Sequence, residues 1–312
     1  MNTMTPIEDN AVKATAAAAP AIVRRGILRG SMTIEPLSPA LGAEIGNIDL
    51  ETASEDPELI RQIRAALLQY KVLFFREQDI SAKAHVEFAR SFGELEIHPV
   101  LKHHADFPEL VLLDRTDARP ANENIFHSDV TWRETPSMGS VLRCHECPPV
   151  GGDTIWVNMA LAYEKLPERV RELCEGLLAV HDIGTAFAGT WSQEKRAALN
   201  REYPPQEHPV VRTHPETGEK ILFVNQGFTT HFANFLSKRE RNIGADFSLE
   251  ANRFMNYLMS QAAIPEFQVR LRWRANTIAF WDNRATQHYA VQDYFPAVRR
   301  MARATIIGDK PF

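Results

Sequence analysis

Phe126-His127-Ser128-Asp129-Val130-Thr131-Trp132 is the stretch on which the reading of this chain turns. Read as a strand, it points residues i and i+2 to one face, so His127 and Asp129 can grip one metal side by side. The third ligand has to come from elsewhere. The best candidate is His288, at the end of Trp281-Asp282-Asn283-Arg284-Ala285-Thr286-Gln287-His288. Two histidines and one carboxylate on one face of an octahedron leave three positions open, the arrangement of O₂-using non-haem iron(II) sites. Alone, a His-x-Asp pair reads as a strand histidine hydrogen-bonded to its neighbour. The surrounding segments change that weighting.

Working outward, the chain is mostly short strands punctuated by Pro and Gly. Thr33 to Leu37, Ala43 to Ile48, Val72 to Phe75, Leu110 to Leu113 and Ser140 to Arg143 read as strands. Pro209 to His214 turns at Glu216-Thr217-Gly218-Glu219 into Ile221 to Asn225, which predicts a hairpin. The last strands are Thr277 to Trp281 and Met301 to Ile307. Asp56-Pro57 opens a helix whose stripe is Leu59, Ile60, Ile63 and Leu67. Ser81 opens a second, closed by Gly93. Helical inserts are expected over Pro167 to Leu178 and Ser248 to Ala263. Gly184 to Gln206 is polar and irregular, equally a surface excursion or a lid. The sum is mainly β with flanking helices, a sandwich or barrel.

Composition bounds the rest. The 312 residues fit one decorated domain over 31–312, preceded by a disordered arm over 1–30. A net charge of −5 with scattered Lys and Arg offers no basic face for nucleic acid. No apolar run approaches the ~20 residues that span a bilayer, and the Ala-rich stretch near the start lacks a basic lead. Three cysteines, Cys144, Cys147 and Cys174, are too few for a disulfide framework, so a reducing, cytoplasmic setting is expected. Cys144-His145-Glu146-Cys147 is half a zinc site with no second pair to complete it.

Several segments together resemble the taurine dioxygenase group of 2-oxoglutarate-dependent oxygenases. They are His127 through Thr131, Gly151-Gly152-Asp153-Thr154, Trp281 through Ala290, and Arg299 through Arg303 with the tail Gly308 to Phe312. His208 through Pro215 and Phe223 through Thr230 also match, and the similarity spans roughly residues 33 to 312.

The resemblance implies a double-stranded β-helix, or jelly-roll, core. It implies Fe(II) at His127, Asp129 and His288, with 2-oxoglutarate and O₂ as cosubstrates. Arg299 would take the far carboxylate of 2-oxoglutarate, assisted by Thr154. Arg suits that task because its planar fork matches a carboxylate and never loses its charge. On an extended strand 299, 301 and 303 face one way and Arg300 faces outward. Arg303 and His98 would reach the substrate's anionic group, and Val130, Phe187 and Phe228 would line its pocket. A carboxylate at 129 points to hydroxylation, since halogenating relatives carry a small residue there.

The expected substrate is a small organic anion, first a sulfonate such as taurine, which would yield sulfite and an aldehyde. Leu101 departs from the taurine pattern, which has a tyrosine there. An alkyl sulfate ester or an aryloxyalkanoate therefore stays open. Family members commonly form dimers or tetramers, so a homo-oligomer is expected. Two rivals remain: a catalytically inactive jelly-roll binding protein, and a zinc hydrolase using the same three ligands. The first leaves the intact ligand set unexplained, and the second gives Arg299 and Thr154 no role.

Overall fold

Val72-Leu73-Phe74-Phe75 shows how the molecule is layered: all four are buried, and alternate residues serve different cores. Leu73 and Phe75 pack with helix residues such as Ile63 and Phe88. Val72 and Phe74 face the opposite way, toward Trp156 and Trp273. A strand covered on both faces reads as a continuous apolar run, which is why this one was legible.

The structure, a computed structural model, describes residues 31–115, 124–186, 192–235 and 248–312. Its strands are β1 (Thr33–Pro36), β2 (Ala43–Gly46), β3 (Val72–Phe75), β4 (Leu110–Arg115), β5 (Ser137–Glu146), β6 (Thr154–Asn158), β7 (Leu178–His181) and β8 (Gln206–Pro209). They continue with β9 (Val211–Thr213), β10 (Lys220–Leu222), β11 (Thr229–Phe232), β12 (Gln268–Leu271), β13 (Ile278–Asp282), β14 (Thr286–Ala290) and β15 (Arg299–Ile307). The helices are α1 (Pro57–Tyr70), α2 (Ala82–Arg90), α3 (Met159–Glu164), α4 (Glu168–Cys174), α5 (Ile183–Ala186), α6 (Gln193–Glu202) and α7 (Leu249–Ser260). The expected arm over 1–30 lies outside the described residues.

A seven-stranded sheet in the order β1-β2-β3-β13-β5-β15-β4 packs against the three-stranded sheet β12-β6-β14. The layer between them holds Phe74, Leu142, Trp156, Val269, Trp281 and Met301. This is the expected mainly β, jelly-roll architecture. Outside the larger sheet, α1 and α2 close a second core through Ile63, Leu67, Val86 and Phe88. A third core joins α3, α4 and α7 to β7 and β10 through Cys174, Ala179, Leu222 and Met255.

The helix starts follow from capping. The Asp56 carboxylate accepts N–H bonds from Glu58 at 3.0 Å and Leu59 at 3.1 Å, with Pro57 in the first turn. Ser81 accepts from Ala84 at 3.1 Å. The 209–225 hairpin forms as β9 paired antiparallel with β10, with Gly218 at φ +74 in its turn.

Three expectations need correction. The stretch from Phe126 to Trp132 is not a strand: His127 makes a single bridge to His288, and 129–132 is a turn. The 184–206 stretch is not irregular throughout, because Ser192 caps α6 by accepting from Lys195 at 3.3 Å. The expected helix over 167–178 ends at Cys174; Gly176 at φ +66 turns the chain into β7.

Candidate metal and cosubstrate site

The His127–His288 bridge builds the site. The N–H of His127 donates to the His288 carbonyl at 3.0 Å, and the reverse bond is 2.8 Å. Two antiparallel residues that exchange both bonds lie face to face, so the imidazoles meet with centroids 4.2 Å apart. The chain then turns sharply. Val130 sits at φ +48, a conformation costly for a β-branched residue. That turn swings Asp129 back so that its Oδ1 lies 3.9 Å from His127 Nε2. One ligand atom from each of His127, Asp129 and His288 lies within 4.8 Å of the others, and all three residues are buried.

The donor set fits a metal ion. The Nδ1 of His127 donates to the Ile125 carbonyl at 2.9 Å, which leaves the Nε2 lone pair free as a ligand. The buried Nδ1 of His288 has no hydrogen-bond partner among the described residues. Burial pushes the pKa of His288 down to about 3, and nearby His127 adds to the shift, so the ring is neutral and able to coordinate. Burial works against the Asp129 anion. The charge and hydrogen bond of Arg303 work the other way, and the carboxyl is held well below the usual range.

Asp129 is fixed from several sides. Asn283 Oδ1 accepts its N–H at 2.8 Å, and Asn283 Nδ2 donates to its carbonyl at 3.0 Å. Ser140 Oγ donates to Oδ2 at 3.2 Å. Arg303 Nη1 donates to Oδ1 at 2.6 Å. Two expectations shift here. Asn283 orients Asp129, not His288. Arg303, expected at a substrate anion, is paired with the carboxylate of Asp129. Asp282 serves the buried turn at a remove, held by Arg284 at 2.7 Å and His214 at 3.0 Å.

The expected cosubstrate pair also meets. Arg299 and Thr154 are both buried, and Nη2 of the arginine donates to Oγ1 of the threonine at 3.2 Å. Trp273 Nε1 donates to the same oxygen at 2.9 Å, and its ring lies 5.7 Å from the guanidinium carbon. Arg300 points outward as expected and pairs with Glu146.

His98 is buried, and its Nδ1 accepts N–H bonds from Val100 at 3.2 Å and Leu101 at 3.3 Å. An accepting Nδ1 puts the proton on Nε2, so the ring offers a donor. Burial and Arg303 lower its pKa to about 3. Val130 and Phe228 come together with Trp132 and Ile183 in a small apolar cluster, and the Phe228 ring lies 6.3 Å from His127. Phe187 lies outside the described residues.

Structural hydrogen bonding was the expected role of His208, but the set of braces it joins behind the turn was not legible in the sequence. Thr131 Oγ1 bonds His181 at 2.9 Å and Asn225 at 3.1 Å. His208 Nε2 donates to the carbonyls of Thr131 and Arg133 at 3.0 and 2.9 Å. The segments carrying His208 and Asn225 were noted, but nothing in them shows that their side chains converge on residue 131. Cys144, Cys147 and Cys174 form no disulfide among the described residues. No helix among the described residues is long and apolar enough to cross a membrane.

The comparisons with known proteins agree with this geometry. An "Alpha-ketoglutarate-dependent sulfate ester dioxygenase" of Pseudomonas putida is 36% identical over 289 residues, covering 90% of this chain and 91% of that protein. An "Alkylsulfatase" of Acinetobacter baylyi is 33% identical, covering 89% and 86%. The crystal structure of a taurine dioxygenase from Burkholderia xenovorans superposes with a TM-score of 0.74 at 38% identity, covering 90% and 91%. Residues 33–305 match the family described as "Taurine catabolism dioxygenase TauD, TfdA family". With the match running from β1 to β15 and every candidate ligand inside it, the chain belongs to the TauD/TfdA family of α-ketoglutarate-dependent dioxygenases.

Proposed function

We propose that this chain is a mononuclear Fe(II) enzyme that uses 2-oxoglutarate (α-ketoglutarate) and O₂ to oxidise a small organic anion. The observation that carries the reading is the convergence of His127, Asp129 and His288, with a buried Arg299–Thr154 pair in the same jelly roll. Those three side chains would hold the iron, and Arg299 with Thr154 would take the far carboxylate of the keto acid. When bound, the metal supplies O₂ activation at the expense of 2-oxoglutarate, which leaves as succinate and CO₂.

The chain's own residues do the rest. The Nε2–H of His98 and the guanidinium of Arg303 form a donor pair for an oxyanion. An incoming anion shares Arg303 with Asp129, because the guanidinium has further N–H groups to offer. Val130 and Phe228 supply apolar surface beside His127 and keep water away from the reacting carbon. With Leu101 replacing a polar side chain, the pocket favours a head group of sulfate or sulfonate type on an apolar tail. An alkyl sulfate ester or an alkanesulfonate meets that description better than taurine itself. The reading further takes residues 31–312 as one catalytic domain of a cytoplasmic homo-oligomer.

The test is succinate formation under air with Fe(II) and 2-oxoglutarate. Taurine, longer alkanesulfonates, alkyl sulfates and aryloxyalkanoates are screened in parallel. Substrate-stimulated succinate that disappears in His127→Ala and Asp129→Ala is expected. Undiminished turnover in either variant would remove the site assignment, and silence on every sulfur oxyanion would remove the substrate class.

A further inference from the structure

We infer that Arg133 is a positioning residue: it clasps helix α6 and the His98 segment to the turn that carries Asp129, and so sets how much apolar tail the substrate pocket accepts. The inference rests on the anionic-substrate reading above and adds a residue that touches neither metal nor substrate.

Arg133 is anchored at its backbone to the turn it serves. Its N–H donates to the Val130 carbonyl at 3.1 Å, and its own carbonyl accepts from His208 at 2.9 Å. The side chain then reaches two other segments. Nε and Nη2 both approach Glu96 Oε1, at 2.6 and 2.5 Å. Glu96 is buried, its N–H donates to the Thr305 carbonyl at 2.9 Å, and it leads directly into His98. The guanidinium carbon also lies 4.6 Å from the Trp132 ring centroid and 5.3 Å from that of Tyr203. Tyr203 ends α6, its N–H bonded to the Leu199 carbonyl at 2.7 Å. Leu199 and Tyr203 pack on Val130, Trp132, Ile183 and Phe228, the apolar wall beside His127.

Three pocket segments therefore meet at one guanidinium. Only arginine combines a planar fork for a carboxylate with a flat cation for two aromatic faces. No side chain of α6 is buried, so the helix has little apolar anchoring of its own. Loosening the clasp frees α6 from the wall while leaving the metal ligands and Arg299 in place. A long substrate tail needs that wall, and a short one does not.

The experiment uses the full chain loaded with Fe(II) and 2-oxoglutarate, in the forms Arg133→Met, Tyr203→Leu and Tyr203→Phe. Arg133→Met leaves Glu96 buried without its cation and risks misfolding. Tyr203→Leu keeps the Glu96–Arg133 pair and removes only the aromatic face, so it carries the test if the first variant fails. Two quantities are read: amide hydrogen exchange over 193–203, and KM along a series of linear 1-alkyl sulfates from ethyl to dodecyl. In Tyr203→Leu, exchange over α6 speeds up roughly tenfold, the loss of about one cation–π contact. KM rises by a similar factor for the long esters and by less than about twofold for the ethyl ester. Tyr203→Phe keeps the ring and behaves as the parent. Unchanged exchange over α6, or a KM rise equal at every chain length, overturns the clasp. Should the parent enzyme turn over no alkyl sulfate at all, the substrate reading falls, and the exchange measurement still judges Arg133.

Discussion

At Arg303 a single guanidinium acts on two neighbours, a carboxylate and an imidazole. It pairs with Asp129 at 2.6 Å, and it stands close enough to His98 to depress that ring's pKa. A metal cation must compete with it for the same carboxylate oxygen. Arg303→Gln is therefore expected to move two affinities in opposite directions. Substrate KM rises roughly tenfold to a hundredfold, the worth of about one or two charge-assisted hydrogen bonds at 1.5–3 kcal/mol. Affinity for Fe(II), or for Mn(II) as a redox-silent probe, increases because a competing positive charge has gone. Metal titration by calorimetry beside steady-state kinetics checks both, and a loss of both affinities would contradict the pairing. Thr154→Val is a milder change. It removes an acceptor shared by Arg299 and Trp273 and leaves the charge intact. The dissociation constant for 2-oxoglutarate should rise about two- to tenfold, as one neutral hydrogen bond of 0.5–1.5 kcal/mol implies. No change on isothermal titration would deny the threonine a part in that subsite. These residues were legible in the sequence because their chemistry is tied to type and order: a His-x-Asp pair, a distant histidine, two arginines four positions apart on one strand face. The Arg303–Asp129 pair was not, because spacing along the chain says nothing about which anion a long side chain reaches.

At the scale of elements, a turn rather than a strand presents Asp129. The strand reading predicted a convergence that the fold reaches by a different geometry. Alternation predicts that i and i+2 share a face, but here a left-handed Val130 closes a turn that brings the carboxylate to the histidine. Such a conformation, costing on the order of 1–3 kcal/mol, persists only where the surroundings over-determine it. Asn283, His181 and His208 provide that constraint from three different segments, the last two through Thr131. Asn283→Ala is the sharpest probe. It strips partners from both the N–H and the carbonyl of Asp129, and leaving a buried group unpaired costs about 1–3 kcal/mol. Metal affinity should fall by about 10- to 100-fold, the usual penalty for losing an outer hydrogen-bond partner of a ligand. Competition with a fluorescent chelator measures it, and parent-like affinity would show that the turn holds itself. Helices capped by Asp56 and Ser81 and strands buried on both faces, such as β3, announced themselves because their signals are local. Strands β7, β8, β11 and β14 did not. All are short, and β8, β11 and β14 are rich in His, Thr and Gln; they become strands only because a neighbour pairs with them.

Across the whole molecule, buried histidines are a feature shared by the fold and the site. His85 on α2 and His208 on β8 are far enough into the interior that burial holds each pKa down to about 4. His181 is lowered by the same cause, reinforced by His208. Each ring is neutral in the folded chain and titrates near its ordinary value of about 6.5 once unfolded. Between pH 6.5 and about 4 the unfolded state therefore binds more protons than the folded one, so stability rises with pH through that window and is lost as pH falls through it. Below about 4 the two states take up protons alike from His85 and His208, and their share of the dependence flattens. The slope approaches about 1.4 kcal/mol per pH unit for each such histidine, against a total stability of only 5–15 kcal/mol. Urea unfolding of the metal-free protein at pH 7.5, 6.5, 5.5 and 4.5 should show a midpoint that is level above 7 and drops steeply below 6. Replacing His85 by Gln keeps a donor for the Val141 carbonyl, 3.0 Å away, while removing one proton site. Its unfolding midpoint should fall less steeply with acid than that of the parent. Equal slopes for the two proteins would mean that the ring on α2 takes no part in the acid sensitivity, and that the core containing it tolerates a charged imidazole.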